Sequence, residues 1–360
     1  MRLMLVAGTT RTAAIDGISA AGATAELRWH TPSADAELVR LGRLVRAPVF
    51  PRSPTGCPTP ALVTRAVVDL LDLDVVVADG GLAKPTGAPT VGFGAKPGRD
   101  IRDPDPVPTA PGAFAAAKAF ASRLGDDHVV VGETIPGGTT TALATMRALG
   151  EPYPVSSSLP DNPLARKEAV VEAALDASDL VPGEAAHHPE LAVRFVGDPT
   201  LAVVAGLCVG ALESGTRVTL AGGTQLVAAA ALVRHAGCVR PLTLATTSYL
   251  ADHVDLASAG RDLDLDLVVT DPDFTDERLA QYATVGREGA AMGGALELAD
   301  RAGVLDRVEG RTLALLDALT ETTEGDTDDA ELVGDATDAD GVDGAGDEQT
   351  DADREGDRGP

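Results

Sequence analysis

Twice along this chain a short β-branched run stops at Gly-Gly-Thr and passes directly into an alanine-rich helix. The first case is His128-Val-Val-Val-Gly-Glu-Thr-Ile-Pro-Gly-Gly-Thr-Thr-Thr-Ala-Leu-Ala144, and the second is Arg217-Val-Thr-Leu-Ala-Gly-Gly-Thr-Gln-Leu-Val-Ala228. Other apolar runs at residues 3–7, 75–79, 242–246 and 265–270 also read as strands with helical stretches between them. Helices are expected at residues 33–46, 59–71, 112–124, 139–149, 164–177, 199–213, 225–235, 276–283 and 290–302. Thr59 and Pro60 have the residue types of a cap and a first helical position. Alternating βα units with near-continuous apolar strands imply a largely parallel sheet covered on both faces. The expected fold class is therefore α/β, Rossmann-like, with three layers.

Charge divides the 360 residues unevenly. Net charge is −26; residues 321–360 carry 16 acids against Arg354 and Arg358, so −14 falls there and −12 on residues 1–320. The last forty residues repeat Asp, Gly, Thr and Ala with little to bury, and are expected to be a disordered acidic tail. Residues 1–320 are expected to form one α/β domain, with residues 97–111 as an internal loop or lid. Only four lysines (Lys84, Lys96, Lys118, Lys167) accompany 25 arginines. An acid-rich, lysine-poor surface suits high salt, where screening removes self-repulsion, and it argues against nucleic-acid binding.

No apolar run approaches the roughly 18–20 residues of a membrane span, and the opening residues 1–8 read as a strand. Cys57, Cys208 and Cys238 form no CxxC and do not pair with the six histidines at metal-ligand spacing. Neither a disulfide framework nor a structural zinc is expected, and a reducing cytoplasm fits. His187-His188 reads as a loop feature.

Three places could carry chemistry. Gly137 and Gly138 let backbone N–H groups approach a ligand closely, and Thr139 and Thr140 open a helix whose positive end suits an anion. Glu133 adds a carboxylate that must face another part of that ligand. Gly222, Gly223 and Thr224 repeat the turn, so the two could line one crevice at the carboxyl edge of the sheet. Any α/β sheet needs glycines where strands turn into helices, so either turn alone has a structural explanation. In Thr284-Val-Gly-Arg-Glu-Gly-Ala-Ala-Met-Gly-Gly-Ala-Leu-Glu297, Glu288 lies between Gly286 and Gly289 before a helix of small residues. Such a helix lets another backbone or a flat ligand come close, and a carboxylate there is also a natural helix cap.

Together these segments resemble the nicotinate-nucleotide–dimethylbenzimidazole phosphoribosyltransferase family, archaeal branch. Gly132-Glu-Thr-Ile-Pro-Gly-Gly-Thr-Thr-Thr-Ala142 is similar to its Gly-Glu-x-x-x-x-Asn-Thr-Thr-Pro-Ala segment. Leu164-Ala-Arg-Lys-Glu-Ala-Val-Val171, with Lys167, resembles its following helix, and residues 198–231 its apolar helix, strand and glycine turn. Gly286-Arg-Glu-Gly-Ala-Ala291 resembles Gly-Glu-Gly-(Ser/Thr)-Gly-Ala-Ala, which places the catalytic carboxylate on Glu288. Ala78-Asp-Gly-Gly-Leu82, with Asp79, echoes an Ala-Asp-His-Gly-Val turn. The resemblance covers about residues 132–302; the first 75 residues match little.

This chain departs from the family at Gly138 (Asn), Thr141 (Pro), Pro163 (Lys) and Ala221 (Asp). Lys84-Pro-Thr-Gly87 stands where an acidic pair helps hold the benzimidazole. The phosphoribosyl half of the site is thus better kept than the base pocket.

The resemblance implies transfer of a phosphoribosyl group from nicotinate mononucleotide to a benzimidazole-like or purine base, for the lower ligand of a cobamide. It also implies a homodimer, for which residues 199–213 offer a packing surface. The pyridinium ring leaves neutral, so no general acid, metal or cofactor is required. Glu288 would take the N–H proton of the incoming base, and Glu133 would offset positive charge on the sugar. Two alternatives stand beside this reading: a phosphoribosyl-pyrophosphate-dependent transferase, whose loop normally carries adjacent acids, and a nucleotide-binding protein without turnover.

Overall fold

The computed structural model describes residues 1–334. The chain divides into residues 1–319, which form the sheet and its covering helices, and residues 320–360. Seven strands form the sheet: β1 (Arg2–Ala7), β2 (Asp74–Asp79), β3 (Thr90–Gly92), β4 (His128–Thr134), β5 (Arg217–Ala221), β6 (Leu242–Thr247) and β7 (Leu265–Thr270). Their order is β3-β2-β1-β4-β5-β6-β7, and every pairing is parallel. The α/β, doubly covered fold expected from the sequence is the fold observed.

The helices are α1 (Thr31–Leu41), α2 (Ala61–Leu71), α3 (Ala110–Ala121), α4 (Gly138–Leu149), α5 (Leu164–Ala177) and α6 (Pro189–Val196). They continue with α7 (Pro199–Glu213), α8 (Thr224–His235), α9 (Ser248–Ala251), α10 (Leu256–Asp262), α11 (Met292–Arg301) and α12 (Val308–Gly334). Alternate strand residues serve opposite layers, as the two-residue strand period requires. Met4, Val6, Val129 and Val131 pack with Leu143 of α4 and Leu201 of α7. Leu3, Leu5 and Val130 pack with Leu38 of α1, Val68 of α2 and Leu298 of α11.

Several expectations are corrected. Residues 276–283 form only a 3-10 turn at Ala280–Ala283. Glu309 accepts the Asp276 N–H (2.6 Å), and the Asp276 carboxylate is taken by the N–H and guanidinium of Arg278, bonds that compete with a helix start. Residues 97–111 are not a free lid. Gly98 bonds across to Thr9 and Arg11, Ile101 is fully buried, and Asp105 pairs with Arg194 at 2.7 Å. Helix α7 is no surface for a second copy, because it is buried from Pro199 to Leu212, between α3 and the sheet. Helix α12 runs past Thr320 to Gly334; residues 335–360, the larger part of the expected tail, lie outside the described residues. No helix among the described residues is long and apolar enough to cross a membrane.

Candidate active site

In this strand order the winding reverses between β1 and β4, and open α/β sheets bind ligands in the crevice at the carboxyl ends there. An open cleft lies at that position. Its walls come from residues 18–22, from Thr31 and Asp35 of α1, and from the segment between Pro51 and Pro60. Residues 133–139, from the end of β4 onward, with Ser158, Gln225 of α8 and the loop before α11, complete it.

Glu288 reaches across this cleft to the second Gly-Gly-Thr turn. One carboxylate oxygen accepts the Thr224 N–H (2.8 Å) at the start of α8, and the other accepts the Ser156 hydroxyl. A side chain on Gly223 would collide with that carboxylate at 1.7 Å, which is why the turn carries glycine. Burial pushes the Glu288 carboxyl above the ordinary glutamate range, while Ser156, the Thr224 N–H, Lys167 and Arg287 pull it back. The result is a buried, oriented carboxyl with raised proton affinity.

Glu133 is the last residue but one of β4, and its carbonyl accepts the Ala290 N–H (2.7 Å), tying the two carboxylate-bearing segments together. Burial raises its carboxyl well above the usual range, and the negative charges of Glu288, Asp198 and Asp35 raise it further. Four residues on, the chain turns through Gly137, whose φ of 80° favours glycine, into the start of α4. Gly138 starts the helix, where an added Cβ would meet Gln225 Oε1 at 1.7 Å. Gly137, Gly138 and Thr139 line the cleft, so the positive end of α4 faces it.

Not every residue singled out in the sequence reaches this cleft. Gly286 and Gly289 line it with Glu288. Gly222, Gly223 and Thr224 do not; their helix end is already occupied by Glu288. Thr140 is buried behind the turn. Lys167 is completely buried and bridges Thr139 Oγ1 (2.9 Å) to the Ser156 carbonyl, so it braces the site from behind. Burial lowers its ammonium to about 8, with Glu288 acting the other way. Asp79 is spent on its own turn, accepting the N–H groups of Gly81 and Leu82 at 2.9 Å each. His187 lies against the His235 ring at 5.4 Å, outside the cleft.

The small-residue start of α11 meets backbone, not ligand. Gly293 packs on the Ala245 carbonyl, Gly294 on Ala221, and Ala291 against Gly132. To make this approach the chain passes through Gly289, Ala290 and Ala291 with φ of 105°, 47° and 67°. Two successive alanines in the left-handed region are strained, and only Gly289 separates them from Glu288.

Asp35 was missed by sequence reasoning. It is buried on α1, accepts the Thr59 and Thr134 hydroxyls at 2.7 and 2.6 Å, and burial pushes its carboxyl up to about 6. Asp198 was missed too. It caps α7 through the Leu201 N–H (2.9 Å) and holds Thr141 and Gln225 behind the α4 turn. Asp198-Pro199 before an apolar run is a helix-start signal that could have found it; nothing local marks Asp35.

Residues 108–254 match a family model described as phosphoribosyltransferase. A UPF0284 protein from Halobacterium salinarum is 56% identical over 321 residues, covering 87% of this chain and 96% of that one. A UPF0284 protein from Methanosarcina mazei is 41% identical, covering 84% and 89%. The crystal structure of nicotinate-nucleotide–dimethylbenzimidazole phosphoribosyltransferase from Thermus thermophilus aligns with a TM-score of 0.55 at 20% identity, over 84% of this chain and 85% of that one. That likeness is one of fold.

Proposed function

We propose that this chain, which belongs to the UPF0284 family, is a phosphoribosyltransferase of the nicotinate-nucleotide–dimethylbenzimidazole branch that moves the 5-phosphoribosyl group of nicotinate mononucleotide onto a nitrogenous base. The product is an alpha-ribotide for the lower ligand of a cobamide. The observation that carries this reading is the pair of buried carboxyls, Glu133 and Glu288, facing one cleft beside the open start of α4.

The phosphate sits against Gly137, Gly138 and Thr139, where the helix end favours negative charge. The nicotinate ring is bound to C1′ as a pyridinium and carries positive charge. A cation beside Glu133 offsets the repulsion among the buried acids, so the ionised form of Glu133 is favoured when substrate binds. The base attacks C1′ through one nitrogen as the bond to nicotinate breaks, and the electron pair returns to the nicotinate ring. Glu288 accepts the proton from the other nitrogen of the base. Its raised proton affinity makes it a stronger base than an exposed glutamate, and Ser156 and the Thr224 N–H hold it in place. Lys167 fixes Ser156 from behind, and Asp198 holds Thr141 and Gln225 beneath the α4 turn. The working form is a homodimer in the cytoplasm, its state to be read by light scattering.

The test is release of nicotinate from nicotinate mononucleotide, in the presence of EDTA, across a panel of benzimidazoles and purines. Release dependent on added base, with ribotide formed in equal amount, is the expected result. Turnover only with phosphoribosyl pyrophosphate and magnesium, or release with no base in the panel, overturns the reading.

A further inference from the structure

The reaction above uses one end of the cleft and leaves the other without an assigned occupant. That end is built by the first sixty residues. Thr31 and Asp35 are four apart on α1 and line the cleft from one helix face. The Thr31 hydroxyl oxygen is buried without a hydrogen-bond partner, and its residue is only 9% exposed. Asp35 is held on both oxygens by Thr59 and Thr134, but a carboxylate has about four acceptor sites, so capacity remains. Pro51, Pro58 and Pro60 supply stiff apolar walls, braced by the Thr59–Pro51 bond (3.1 Å) and a bridge between Arg52 and Pro58.

We propose that this end is the acceptor-base subsite and that it selects a planar base of the aminopurine class over an alkylated benzimidazole. The assignment of the occupant as acceptor rests on the function proposed above; the preference rests on Thr31 and Asp35. An aminopurine entering imidazole ring first offers its N–H to Glu288. Its far edge then presents an exocyclic amino donor beside a ring-nitrogen acceptor. The amino group suits the spare acceptor sites of Asp35, and the ring nitrogen suits the hydroxyl proton of Thr31. A dimethylbenzimidazole in the same orientation puts two methyl groups there. It leaves the Thr31 hydroxyl unpaired and the spare acceptor sites of Asp35 dry, a penalty on binding it that the aminopurine escapes.

Binding of adenine and of 5,6-dimethylbenzimidazole to the full chain, measured by calorimetry with nicotinate mononucleotide present, tests the subsite. Adenine is expected to bind about tenfold tighter or more, and Thr31→Val and Asp35→Asn should each shrink that ratio. Equal or tighter binding of dimethylbenzimidazole overturns the proposal, as does a ratio unchanged in both variants. Nicotinate release is followed with both bases in parallel. No release with either base, while the binding preference stands, would count against the transferase reading and still support the subsite.

Discussion

Glu288 and Asp35 are both carboxyls displaced upward by burial, and each gives a pH signature of its own. Glu288 acts only when ionised, so kcat/KM for nicotinate mononucleotide should fall as pH drops through its raised value. The acid limb is expected above the ordinary glutamate range, and an inflection inside that range would contradict the burial argument. Asp35 has the opposite sense for stability. Its folded value is about 6 against 3.8 in the unfolded chain, so between those values the native state holds the extra proton. Stability therefore declines as pH rises through that window and levels off above it. The contribution is about 3 kcal/mol. In Asp35→Asn the stability lost between pH 4 and pH 7 should be smaller by about that amount, read from denaturant curves. Equal losses in the two proteins would mean that Asp35 does not bear this charge cost.

The decisive elements are the β4–turn–α4 unit and the strained loop into α11. They touch where Gly132 meets Ala291, so adding bulk there should push the Glu288 loop away from its place. Gly132→Val is expected to cost about 1–3 kcal/mol by overpacking and to lower kcat; an unchanged melting temperature and kcat would show that the contact is loose. Gly138→Val should instead raise KM for the nucleotide, because the added carbons meet Gln225 and Ile135 at the phosphate end. The order strand, Gly-Gly-Thr, helix was legible from residue types alone, and so was the position of every central strand. What each turn holds was not. The first opens to the cleft, while the second is closed by a carboxylate 64 residues further on. Glycine spacing reports close approach without saying what approaches, and for Gly132, Gly293 and Gly294 the answer is the protein's own chain.

At the scale of the molecule, the parallel sheet with its reversal between β1 and β4 brings together residues from seven separate stretches. The phosphoribosyl wall was readable because it is local: acid, glycines and threonines follow in sequence. The opposite wall was not, because Asp35 gains its meaning from Thr134, 99 residues away, and from Thr59. A net charge of −26 should also govern the whole chain's stability. Screening shortens from about 10 Å at 0.1 M salt to about 3 Å at 1 M, so the melting temperature should rise with KCl over that range. A flat or falling curve would remove self-repulsion from the account. The central claim is that Glu288 takes the proton from the incoming base. Its most direct test compares nicotinate release by the wild-type chain and by Glu288→Gln, at saturating nicotinate mononucleotide and base. The account predicts release about a hundredfold slower or more in the variant, with nucleotide affinity kept. Release at the wild-type rate would contradict it.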